Sequence, residues 1–171
     1  MAYLEDLSEY TYARSEGYRP VTKAVGWLGR GHEFEIAPPS EELLDLLWQY
    51  CKVGVEQIRG HHTCEFCPSV ISAAHDLPSL MAALKQDGLG HRATRKGEQL
   101  VLGSAEIRVF GEAELIYAAP NLIYHYVLLH QYKPPKDFVR AMKEGPKPAD
   151  SDYFKRLTVL KLDWRVFSTT R

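Results

Sequence analysis

Eight consecutive residues, His61-His62-Thr63-Cys64-Glu65-Phe66-Cys67-Pro68, constrain this chain more than any other segment. They hold two of its three cysteines, in the pattern H-x-C-x-x-C. Three cysteines cannot all pair with one another, and thiols clustered this tightly suit a metal or redox role in a reducing compartment better than a structural disulfide. In an extended approach, residues 62 and 64 point to the same side. A Cys-x-x-Cys turn then brings a second thiolate within reach of the same ion. Zinc takes four nitrogen and sulfur ligands in a tetrahedron, so one more is required.

Pro120 suits the first turn of a helix running to about Gln131. Its content of Leu122, Ile123, Tyr126, Val127 and Leu129 marks it as a central, mostly buried helix. His125 lies near its middle, and a buried imidazole needs partners for both ring nitrogens. The expected zinc ligands are therefore His62, Cys64, Cys67 and His125. His61, His75 (at C-x7-H), His91 and His130 are alternatives for the fourth position. His130 follows His125 by five residues, about 140° around an ideal helix, which argues against both binding one ion. Cys51 falls on the apolar stripe of another helix and reads as a small buried thiol.

Four protein ligands make a zinc site structural, whereas three plus water make it catalytic. Two ordinary thiols, or a redox Cys-x-x-Cys, are the competing readings, but no βαβ pattern surrounds the motif. A zinc deaminase requires H-x-E ahead of P-C-x-x-C. Here the residue two after His62 is Cys64, so the proton-shuttling acid is missing. No G-x-S-x-G or Walker loop occurs, and Gly29-Arg30-Gly31-His32 is a turn rather than an anion-binding loop, because no helix follows it. Glu106 and Arg108 share one strand face, where an ion pair is the expected role.

The 21 basic and 22 acidic side chains give a net charge of −1, which leaves nucleic-acid binding without a general electrostatic basis. Residues 1–60 are the acidic part, with 6 basic and 10 acidic groups. Mean hydropathy is −0.30 and no apolar run reaches membrane-spanning length, while the N-terminus lacks the pattern of a secretory signal. A cytoplasmic location is expected.

The 171 residues suit one domain. Residues 1–22 read as an irregular aromatic arm. Lys23 to Leu28 is a strand candidate, and Phe34 with Ile36 suggests a return strand. Ser40 caps a helix that carries Leu43, Leu44, Leu47, Tyr50 and Cys51 on one stripe. Residues 69–86 read as helical with a break at Pro78, and residues 87–97 as an exposed loop. Leu100 to Phe110 and Leu115 to Ala118 are strands joined by Gly111-Glu112-Ala113-Glu114. Helices follow at 136–143 and after Asp150, the latter alternating from Leu160 to Val166 in a way that also fits a strand. The sum is an α+β fold, a small antiparallel sheet with about five helices, pinned by a zinc knuckle.

The blocks Tyr3-Leu4-Glu5-Asp6-Leu7-Ser8, Val25-Gly26-Trp27-Leu28, Arg59 to Cys67, Gly103-Ser104-Ala105-Glu106-Ile107-Arg108-Val109, Tyr117 to Val127 and His130-Gln131-Tyr132-Lys133-Pro134-Pro135 occur in this order over residues 3–135. As a set the chain resembles a family of small bacterial proteins of unknown function. The resemblance implies a compact cytosolic domain with a zinc knuckle at His62, Cys64 and Cys67, and carries no activity with it. Residues 69–97 look like an insertion against that pattern, and residues 145–171 like a C-terminal extension. The expected function is a non-enzymatic, protein-binding domain, in its most specific form an immunity-type protein that neutralises a toxin. The alternatives are a zinc hydrolase with Glu65, Glu106 or His130 as base, and a Cys64–Cys67 thiol oxidoreductase. The oligomeric state is open.

Overall fold

A β-hairpin with both strands wholly buried forms the centre of the chain in a computed structural model, which describes residues 3–12, 20–67, 78 and 91–162. Strands Glu106–Phe110 and Ile116–Pro120 pair antiparallel, from Glu106 against Pro120 to Phe110 against Ile116. Gly111 closes the hairpin by donating to the Leu115 carbonyl at 2.8 Å. Ala118 and Ala119 are fully buried, and their small side chains let neighbouring layers approach closely.

In chain order the elements are β1 (Thr22–Ala24), α1 (Glu41–Cys51), β2 (His91–Arg95), β3 (Glu98–Leu102), β4 (Glu106–Phe110), β5 (Ile116–Pro120), α2 (Ile123–His130), α3 (Lys136–Glu144) and α4 (Ser151–Val159). The sheet order is β1-β5-β4, with a separate β2-β3 hairpin. Because β1 runs parallel to β5, the main sheet is mixed rather than purely antiparallel. The class is α+β as expected, with four helices among the described residues rather than about five. None of these helices is long and apolar enough to cross a membrane.

Helix α1 forms as its sequence dictates. The Ser40 hydroxyl accepts the Leu43 amide at 3.2 Å, Glu41 and Glu42 occupy the first turn, and Leu44, Leu47, Tyr50 and Cys51 are buried. Burial pushes the Cys51 thiol up to about 12, so it packs as an inert small group. The expected helix from Pro120 starts later, because Pro120 ends β5 and α2 begins at Ile123.

Several expectations fail for local reasons. Phe34 and Ile36 form no strand; Ile36 makes only an isolated bridge to Tyr132. Residues 100–110 are not one strand, because Gly103 has φ +96° and breaks the run into β3 and β4. Within the stretch read as an exposed loop, residues 91–95 pair with 98–102. The two turn residues, Lys96 and Gly97, both take positive φ, the backbone a tight two-residue hairpin needs. The 69–86 helix and the strand alternative beyond Leu162 fall outside the described residues, apart from Pro78, which is helical.

The described part of the N-terminal arm is tied to the rest of the domain by backbone hydrogen bonds. Tyr10 donates to Thr22 at 2.9 Å, Ala24 donates to Ser8 at 2.9 Å and Leu4 donates to Trp27 at 3.2 Å through their backbones. Asp6 accepts the Gly26 amide at 2.8 Å and the Tyr132 hydroxyl at 2.7 Å. The arm also completes a buried charge cluster. Arg108 lies 2.6 Å from Glu106, with exposures of only 4% and 8%, and Tyr10 donates its hydroxyl to the same carboxylate at 2.6 Å. A buried ion pair of this kind is tolerated when its remaining polar atoms find partners, and Tyr10 supplies one.

Gly103 packs tightly against the backbone of the segment that carries the cysteines. The His62 amide donates to its carbonyl at 2.8 Å, and a side chain at Gly103 would strike the His62 carbonyl. Replacing Gly103 with alanine is expected to destabilise the protein by about 1–3 kcal/mol, read by denaturant unfolding. Gly60→Ala, where nothing lies within 4 Å of the added carbon, is the control and should change stability by less than about 0.5 kcal/mol.

Candidate metal centre

Two segments far apart in the chain bring four metal-binding side chains together. Cys64 and Cys67 come from the loop before the undescribed stretch, and His125 and His130 from α2. One donor atom from each lies within 4.8 Å of all the others. His130 Nε2 is 3.2 Å from Cys64 Sγ and 3.4 Å from Cys67 Sγ, while His125 Nε2 is 3.3 Å from Cys67 Sγ. The two imidazole nitrogens are 3.3 Å apart. Metal–ligand distances of 2.0–2.3 Å in a tetrahedron place donors about 3.3–3.8 Å apart, so the spacing suits one ion.

Cys64, Cys67 and His125, all expected from sequence, are thus in the group; His62 is not, and His130 is. His62 is diverted because residues 61–64 form no strand, so the alternation that would align it with Cys64 does not apply. Its backbone is tied to Gly103, and the residue lines a small cleft with Tyr12, Trp27 and Glu106. His130 was disfavoured by assuming an ideal helix. It is instead the last residue of α2, followed by Gln131 in a left-handed conformation. There the amides of Gln131 and Tyr132 both donate to the Tyr126 carbonyl, five and six residues back. Bonds of that span loosen the final turn and reduce the angle between residues 125 and 130. His61 is exposed and outside the group, and His75 lies outside the described residues.

The residues between the cysteines explain how the loop is held. Phe66 turns inward, its ring 5.5 Å from His130, 5.9 Å from Tyr126 and 5.4 Å from Phe34. Its amide donates to Cys64 Sγ at 3.4 Å, a bond that favours a thiolate. Glu65 turns outward and accepts the Arg30 amide at 2.9 Å, while the Arg30 guanidinium donates to the Glu65 carbonyl at 2.6 Å. The Gly29–Gly31 turn therefore does hold an anion through its backbone, but that anion is the chain's own Glu65.

Burial holds the two imidazoles toward the neutral form that a metal ligand needs. Burial, with the nearby charges of His91 and His130, lowers His125 to about 4, so it stays neutral and its nitrogen lone pair is available. Burial also lowers His130. Cys64 is pushed up to about 11, chiefly by burial, the reverse of the lowered pKa that activates a redox thiol. Two imidazole nitrogens and two sulfurs facing one another at these distances could hold a positive charge among them. A divalent ion bound there would supply it and draw off the thiol protons.

The two sets of candidate ligands separate by mutation. His130→Ala is expected to weaken binding of titrated zinc by more than the roughly 10–100-fold that loss of an outer hydrogen-bond partner costs. His62→Ala should leave affinity unchanged. Competition with a chromophoric chelator measures both.

Comparison with known proteins gives a family without an assigned role. A family model described as a domain of unknown function, DUF7919, matches residues 2–143, which includes all four clustered residues. No curated protein and no solved structure matches the chain. With the match covering most of its length, the chain belongs to the DUF7919 family.

Proposed function

We propose that this is a non-enzymatic, partner-binding domain whose fold is closed by one structural zinc ion on Cys64, Cys67, His125 and His130. The observation that carries the reading is the convergence of four protein donors, two sulfur and two nitrogen, from segments about sixty residues apart. A mixed sulfur and imidazole set favours zinc among common divalent ions, and four protein ligands fill its tetrahedron. A cytoplasmic location, where thiols stay reduced, belongs to the same proposal.

A hydrolytic zinc site would need an open position and a nearby base. Each base considered for that role has another commitment. Glu65 holds Arg30, Glu106 is bonded to Tyr10 and Arg108, and His130 is itself in the donor group. For partner binding, the support is charge: Glu5, Glu9, Glu33 and Glu56 are exposed acids of the N-terminal third, suited to a basic protein surface. The most specific form of this reading is an immunity-type protein that masks a basic toxin.

Elemental analysis of the purified chain is expected to give one zinc per molecule. Chelation should lower its melting temperature by about 10 °C or more, since each kcal/mol lost shifts a domain of this size by roughly 2–4 °C. A metal-free chain with an unchanged melting temperature after chelator treatment would defeat the structural role, and turnover of a small molecule by the zinc-loaded chain would defeat the non-enzymatic one.

A further inference from the structure

His91 stands just outside the donor group, yet it touches the centre from two directions. Its Nε2 accepts the Cys64 backbone amide at 2.7 Å, and its ring lies 4.2 Å from that of His125, tilted by 42°. With Nε2 accepting, the neutral imidazole carries its proton on Nδ1. His91 is also the first residue of β2, paired with Leu102 at the end of β3. The next residue, Gly103, accepts the His62 amide and donates its own to Asn121 Oδ1 at 2.7 Å. Both strands of the hairpin thus meet the metal loop at the same end.

Among the described residues the β2-β3 hairpin has no third strand, and two-stranded hairpins are marginal alone in water. At its turn end it is tied to α1 by ion pairs of Arg95 and Lys96 with Asp45 and of Lys52 with Glu98. Arg95 is 11% exposed and bridges Asp45 and Glu41, and Glu98 accepts the indole N–H of buried Trp48 at 2.9 Å, so this end is held against α1. The attachment to the metal loop is at the other end, where His91 and Gly103 meet the segment that carries Cys64.

Resting on the zinc reading above, we propose that His91 is the positioning residue of the centre, holding the Cys64 loop in its binding conformation and coupling the docking of the β2-β3 hairpin to metal occupancy. The imidazole accepts an amide that would otherwise be left without a partner close to the ion, and it backs the ring of a ligand. Outer partners that fix ligand geometry in this way are worth about 10–100-fold in metal affinity. The linkage runs both ways. An ion that fixes Cys64 fixes the amide His91 accepts, and a hairpin in place presents the acceptor that orients Cys64.

The test uses the full chain with zinc as the probe, in competition with a chromophoric chelator. His91→Phe should bind zinc about 10–100-fold more weakly than wild type, and His91→Gln, whose side-chain oxygen can accept the same amide, should recover most of the loss. Amide hydrogen exchange supplies a readout that a simple packing role would not move. Removing zinc from the wild type should speed exchange across residues 91–95 and 98–102 far more than in β4 and β5. Equal affinities for wild type and His91→Phe, no rescue by glutamine, or hairpin exchange indifferent to zinc would each overturn the proposal. Should His91→Phe fail to fold, the glutamine variant and the wild-type exchange experiment still decide. A wild type that takes up no zinc overturns the centre itself, a result distinct from a wild type that binds tightly without help from His91.

Discussion

Two imidazole nitrogens 3.3 Å apart, each about as close to a cysteine sulfur, form a cluster of donor atoms spaced to hold one cation. The loop carrying the sulfurs has no strand or helix of its own to fix it, and the helix carrying the nitrogens ends where they meet. An ion at this point would join the loop after His62 to the end of α2, and through His91 and Gly103 its effect would reach the β2-β3 hairpin. The buried β4-β5 hairpin supplies the rigid floor on which these pieces are arranged.

Buried charge away from the metal centre finds its partners within the molecule. Glu106 and Arg108 lie side by side on a strand whose residues are all buried, so neither reaches water and each depends on the other and on Tyr10. The arm that brings Tyr10 also brings Asp6 to Gly26 and Tyr132. Burial pushes the Asp6 carboxyl upward against those two hydrogen bonds, so the contact is a compromise between desolvation and bonding. Arg30 and Glu65 close the remaining side of the metal loop.

What the residues disclosed in advance was chiefly local. Ser40, the α1 stripe and the Gly111–Glu114 connection follow from capping, helical period and turn chemistry, and each can be read from a few neighbours. Cys64, Cys67 and His125 were legible because a Cys-x-x-Cys and a histidine on an apolar helix both ask for an explanation. His130 is hidden by the ideal 100° step, which a loosened helix end does not keep, and His62 lies outside the donor group because the irregular backbone there does not alternate. The β2-β3 hairpin was hidden by its polar composition; its one strong signal was Lys96-Gly97, a pair suited to a two-residue turn. The parallel pairing of β1 with β5 joins residues more than ninety apart, a relation no local pattern encodes.

X-ray absorption spectroscopy at the zinc edge of the purified, zinc-loaded chain tests the central claim most directly. The account predicts a four-coordinate ion with two sulfurs at about 2.3 Å and two imidazole nitrogens at about 2.0–2.1 Å. A first shell with fewer than two sulfurs, or with a water oxygen in place of one imidazole, would contradict it.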